Sequence, residues 1–174
     1  SKNLNFIISD SAIEDYYSDN IKDFVLGSEL VRCLYAKIPI KAPEIVNFRK
    51  LIRQYPKSSI NEIRSYCFKF AEKSFLDDSL WIDFDELIAN TPFRKMKDNI
   101  SLLTYNKYLE NSDPSYYYFI KIIDYKLSGD ISPLSFEYDI ITAIILNKRK
   151  RDLLDKLQDS IYLKSIKQVD YEIY

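Results

Sequence analysis

Apolar residues recur at helical spacing over much of the chain and run almost unbroken in two places. Ser9 precedes a segment with Ile13, Tyr17, Ile21 and Phe24 along one side, which predicts a capped helix ending before Gly27. Residues 30–40, LVRCLYAKIPI, are apolar with little alternation and predict a buried strand with Pro39 near its end. Pro43 then sits at the first position of a predicted helix over 42–55, with Ile45, Phe48, Ile52 and Tyr55 as its stripe. Pro56 stops it. Ser59 and Glu62 have capping-box spacing and open another helix, which by pattern runs to Phe75 with Ile63, Cys67, Phe70 and Ala71 on one side.

The second half is more broken. LWIDF (80–84) predicts a short strand, and DELIAN and DNISLL predict short helical pieces separated by Pro92. A hairpin follows, with strands over 105–110 and 116–127 and the turn NSDPS between them. Ser132 and Pro133 open a long helix predicted to reach about Ile166, roughly 50 Å at 1.5 Å per residue. Its apolar side carries Leu134, Ile141, Ile145, Leu153, Leu157 and Ile161. In the tail QVDYEIY, Val169, Tyr171 and Ile173 alternate, which predicts a terminal strand free to join an exposed sheet edge.

Composition narrows the chemistry. The 174 residues suffice for one core, or for one domain with an extra arm. Two glycines exclude Gly-rich phosphate loops, and a net charge of -1 argues against nucleic acid as a partner. The run KRKR (148–151), with Asp152 and Asp155 at i+4, reads as a solvated helix face laced with ion pairs. Histidine is absent, which removes most metal sites, Ser-His and Cys-His nucleophile pairs and imidazole bases; no metal or cofactor is expected. Cys33 and Cys67 lie in apolar segments and read as buried free thiols. No run of apolar residues is long enough to span a membrane. The chain opens on SKNLNFIISDS without an initiator Met or signal peptide, so it reads as a processed form or a piece of a longer precursor.

The excess of aromatics, 15 Tyr and 10 Phe, concentrates in YYYF at 116–119. On a strand, Tyr116, Tyr118 and Ile120 share one face and Tyr117, Phe119 and Lys121 the other. Both faces are candidates for core; the first is also a candidate for a binding surface. Asp83, Asp85 and Glu86 read as a helix cap with an acidic first turn rather than a metal cluster, and Trp81 reads as core or as a ligand anchor.

Three stretches carry a resemblance to parvulin-type peptidyl-prolyl cis-trans isomerases (rotamases), and more closely to SurA-like periplasmic chaperones with parvulin domains. ISDSAIEDYYSDNIKDF (8–24) looks like the helix that leads into the isomerase domain. YYYFIKIIDYKLSGDISPL (116–134) is similar to the closing strand, whose usual pattern is Gly-Tyr-His-Ile-Ile-Lys-Val before a Pro-Leu helix start. Residues 139–174 resemble the C-terminal helix and strand that in those chaperones fold back onto an N-terminal chaperone domain, and the resemblance as a whole is to the variant found in Bacteroidetes lipoproteins.

The resemblance implies an α+β fold: a lead-in helix over 1–28, a degenerate parvulin-like domain over 29–130 with a small antiparallel sheet flanked by helices, and a C-terminal helix and strand over 131–174. It implies a periplasmic folding factor that binds unfolded exported or outer-membrane polypeptides, and a precursor open to lipid anchoring as a lipoprotein. The family's two catalytic His positions fall on Cys33, or Tyr35 by a two-residue slip, and on Tyr118, so isomerase activity is expected to be weak or lost. The family's Gly-rich turn is replaced by DDSLWIDFDEL (77–87). Groove candidates are Cys33, Tyr35, Trp81, Phe84, Phe93, Tyr116 and Tyr118. The alternatives are an active isomerase with hydroxyl and thiol groups in place of imidazoles, and an assembly module pairing through its C-terminal arm with another chain or with an N-terminal domain.

Overall fold

Two long strands, β1 (Leu30–Pro39) and β5 (Tyr116–Lys126), organise the chain. The computed structural model describes residues 7–96 and 98–173. The two strands pair antiparallel along their length, from Leu30 opposite Lys126 to Pro39 opposite Tyr116. β2 (Lys73–Phe75) and β3 (Ile82–Asp83) pair with the other edge of β1, and β4 (Tyr108–Ser112) pairs with β5. The antiparallel order is β2-β1-β5-β4, with β3 beside β1. With α1 (Asp10–Asp19), α2 (Ile45–Gln54), α3 (Ile60–Phe70), α4 (Phe84–Ile88), α5 (Asn99–Tyr105) and α6 (Leu134–Ile173), the fold is α+β.

Alternation along β1 feeds two cores. Leu34, Ala36 and Ile38 join Phe119 of β5 against Phe48 and Ile52 of α2 and Ile63 and Cys67 of α3. Val31, Cys33 and Tyr35 face the other way, with Tyr118, Ile120 and Ile122, against Phe84, Ile88, Phe93, Leu102 and Leu103. A sheet covered on both faces explains why residues 30–40 read as a continuous apolar run. Cys33 and Cys67 are free and buried as the sequence predicts, and they lie in the two different cores.

Arg32 lies opposite Asp124 while Cys33 lies opposite Ile122, so Ile123 is an extra residue, a β-bulge. The bulge resets the alternation: Ile122 and Tyr125, three apart, pack on the same face. Asp124 accepts the Tyr125 backbone N–H at 2.9 Å, and Asn111 accepts that of Ser112 at 2.8 Å. Both satisfy donors on strands near the sheet's edge.

Several boundaries differ from the sequence pattern. The helix expected to reach Phe75 stops at Phe70, and Lys73–Phe75 becomes β2. Its stripe continues without a breaker, but pairing with β1 overrides local propensity. The helix expected from Pro43 starts at Ile45, after Glu44 in the left-handed region at φ 56. The strand expected over 80–84 shrinks to Ile82–Asp83, because Asp83 caps α4 by accepting the Glu86 N–H at 3.1 Å. The first hairpin strand starts at Tyr108 rather than 105, where α5 ends.

The chain divides into two compact units, one over residues 25–136 and the other made of the described residues up to Phe24 together with those from Glu137 on. In the second unit Ile13 and Ile141 are buried, the Tyr138 hydroxyl donates to Asp10, and Tyr17 stacks on Phe24 at 5.3 Å. The predicted terminal strand is a correction: α6 runs 40 residues to Ile173, about 60 Å at 1.5 Å per residue. No Gly or Pro interrupts it after Pro133, and a helix satisfies its own backbone groups where a solitary strand cannot. Val169 also falls at helical spacing from Ile166 and Ile173, so the alternation was ambiguous. The KRKR face is exposed, but among the described residues the ion pair is Arg49–Glu110 at 2.7 Å, so the expected i+4 pairs are not closed. No helix among the described residues is long and apolar enough to cross a membrane.

Phe119 is fully buried and meets the Phe48 ring edge-on at 5.3 Å, whereas Phe68 is 90% exposed. Phe119→Ala is expected to cost about 3–5 kcal/mol in chemical denaturation, and Phe68→Ala to stay within about 0.5 kcal/mol of wild type.

Candidate functional site

The register of β1 with β2 puts Tyr35 opposite Phe75 and Lys37 opposite Lys73. Residues two apart on a strand share a face, so these four side chains converge on one side of the sheet. There they bound an open cleft of about 540 Å³. Phe75 of β2, Ile82 of β3 and Leu87 of α4 give it apolar walls. Lys37, Lys73 and Glu86 supply its charges, and Asn90 and Thr91 complete the lining. Thr91 is internally satisfied: its hydroxyl donates to the Ile88 carbonyl at 2.8 Å and accepts the Phe93 N–H at 3.3 Å.

Tyr35, also in this lining, is buried at 5% exposure. Among the described residues its hydroxyl has no hydrogen-bond partner, and burial pushes the phenol up to about 12. A donor that keeps its proton and faces a cleft is available to a ligand.

Next to it, Tyr118 is committed. Its hydroxyl donates to Asp113 Oδ2 at 2.6 Å, and Asp113 Oδ1 accepts the Ser115 and Tyr116 N–H groups at 2.8 Å each. Burial raises the Tyr118 phenol first, and the Asp113 bond and charge raise it further. The Tyr118 hydroxyl and those backbone donors hold Asp113 below the ordinary carboxylate value, with the Lys37 charge adding to the effect. The Lys37 ammonium lies over the Tyr116 ring at 4.2 Å and 5.8 Å from the Tyr118 ring.

The groove candidates separate accordingly. Cys33, Tyr35, Phe84, Phe93 and Tyr118 fall in one apolar cluster with Tyr116 packed against it. Cys33, Phe84 and Phe93 are at most 1% exposed, so they support the cleft from beneath rather than line it. Burial pushes the Cys33 thiol up to about 12, so it is neither a thiolate nor a nucleophile at neutral pH. Trp81 is half-buried outside both clusters, with the Arg32 guanidinium 5.6 Å from its ring. Of the candidates, Tyr35 alone lines the cleft.

Lys37, Lys73, Phe75, Ile82 and Leu87 were missed. Lys37 was legible, two residues beyond Tyr35 on a predicted strand. Lys73 and Phe75 were hidden by the helical reading of their segment. Asp113 was read only as a turn former. Asp83 caps α4, with Asp85 and Glu86 in its first turn as the pattern predicts, and also accepts the Ser28 hydroxyl at 2.6 Å. The arrangement offers apolar contact, one hydroxyl donor without a partner among the described residues, two cations and one carboxylate.

A carboxylate held below its unfolded value stabilises the fold above that value, and the contribution disappears as pH falls through the folded one. The melting-temperature gap between wild type and Asp113→Asn is therefore expected to be widest above about pH 5 and to narrow below about pH 4. Thermal melts across that range check it.

No family model, no curated protein and no solved structure matches this chain.

Proposed function

We propose that the chain is a peptide-binding module, a His-less parvulin-like domain with its C-terminal arm. It acts as part of a SurA-like folding factor that holds extended stretches of exported or outer-membrane polypeptides in the periplasm, from a precursor anchored as a lipoprotein. The observation that carries this reading is the open cleft with Phe75, Ile82 and Leu87 as walls and the Tyr35 hydroxyl available within it. Such a lining accepts an apolar or aromatic side chain and offers one donor to a backbone carbonyl. The element order supports the family resemblance, since β1 leads through two helices to an edge strand and β5 closes the sheet beside β1.

The same positions argue against an inherited isomerase mechanism. A rotation barrier of about 18–20 kcal/mol for an ordinary peptide bond, and slow exchange at proline, require polar groups placed around the twisting amide. Where the resemblance puts imidazoles, Cys33 is fully buried and Tyr118 is bonded to Asp113. One feature favours the rewired isomerase as the second reading, the Tyr35 hydroxyl, which is free to donate to a substrate amide.

Binding of the whole chain to arrays of aromatic-rich unfolded peptides tests the first reading. Wild type is expected to bind, and Leu87→Asp to weaken binding at least about tenfold by charging an apolar wall. Absence of binding by wild type removes the reading. A protease-coupled proline-peptide assay separates the second: a rate equal to the buffer control eliminates catalysis and leaves binding intact.

A further inference from the structure

Lys37 and Lys73 are direct cross-strand partners on the cleft face. Like charges placed opposite each other in a sheet repel, with Cβ atoms about 5 Å apart, and an anion between them would relieve that repulsion; the Tyr116 ring under the Lys37 ammonium at 4.2 Å offsets it only in part. No carboxylate among the described residues closes an ion pair with either lysine. Asp113 is the acidic neighbour of Lys37, but its oxygens already accept the Tyr118 hydroxyl and two backbone N–H groups. Glu86 also lines the cleft and reduces the formal charge of the lining without cancelling it. The adjoining surface is apolar, formed by Phe75, Ile82 and Leu87. Between these two parts sits Tyr35, 5% exposed, with its hydroxyl unpartnered among the described residues.

Resting on the peptide-binding reading, we infer that the cleft selects segments in which an acidic side chain adjoins an apolar one. The carboxylate lies between Lys37 and Lys73, the apolar side chain enters against Phe75 and Leu87, and Tyr35 donates to a backbone carbonyl of the same segment. The lysines thus set specificity, and the apolar wall supplies most of the contact. Aromatic content alone would not distinguish clients; the charge beside the aromatic residue does.

The test is fluorescence anisotropy with the full chain and two labelled peptides that differ only in Glu or Gln beside a central Phe, each with an amidated C-terminus. The Glu peptide is expected to bind about fivefold more tightly, a margin typical of a partly exposed ion pair. That preference should shrink with added salt and vanish in Lys73→Gln, an exposed position whose change leaves the core intact. Tyr35→Phe should weaken both peptides about fivefold without altering the preference. Equal affinity of wild type for the two peptides overturns the acidic selection and leaves the binding reading standing. A Glu preference that persists in Lys73→Gln overturns the assigned subsite. If the preference appears only with a free C-terminal carboxylate, the selection of an acidic side chain is wrong. Failure of both peptides, and of the aromatic-rich arrays, sinks the binding reading itself.

Discussion

The pairing of β1 with β5 is the constraint on which the central unit depends. Ten positions of β1 are matched across the ladder, and the residues of both strands are buried alternately on two faces. Neither face can be left to water: one carries Leu34, Ala36, Ile38 and Phe119, the other Val31, Cys33, Tyr35, Ile120 and Ile122. Each face therefore demands its own helical cover, α2 and α3 on one and α4 and α5 on the other. The cleft follows from the same pairing. α4 is only five residues long and covers its face incompletely beside β2, so Tyr35 is buried by its neighbours yet still borders open space. A longer helix at that point would extend the core and remove the site.

What the sequence disclosed depended on whether local and long-range preferences agreed. They agreed in β1 and β5, where apolar runs are bounded by Pro39 and by the NSDPS turn. They agreed at helix starts as well: Ser9 and Ser59 accept the Ala12 and Glu62 N–H groups as capping residues should. They disagreed in residues 73–75, whose polar-apolar sequence carries no strand signal and whose conformation is decided by the edge of β1. At the C-terminus the chain contains both periods, and the helical one wins where no sheet edge is engaged. The candidate site was half legible for the same reason. Tyr35 and Tyr118 could be placed on one face from strand alternation, but the residues that line the cleft with Tyr35 come largely from β2, β3 and α4, whose position no local pattern records.

The bulge at Ile123 shows how one residue redirects a strand without breaking it. Before it, even-numbered residues of β5 face the cleft side; after it, Tyr125 does. Side-chain caps from Asp124 and Asn111 occupy backbone donors on β5 and β4. In the reading proposed above, recognition falls to side chains in the cleft.

The absence of histidine has a consequence for how the site titrates. An imidazole pair would place groups that titrate near neutrality beside the ligand, making affinity a function of ambient pH. Here the Cys33 thiol is pushed up to about 12, the Tyr118 phenol is raised by burial and by Asp113, and the Tyr35 phenol stands at about 12. None changes protonation across the physiological range. Asp113 is held below its ordinary value, so it stays ionised there and keeps Tyr118 oriented. The protonation of these four groups is thereby held constant against moderate changes in pH, so the Tyr118–Asp113 hydrogen bond persists across that range.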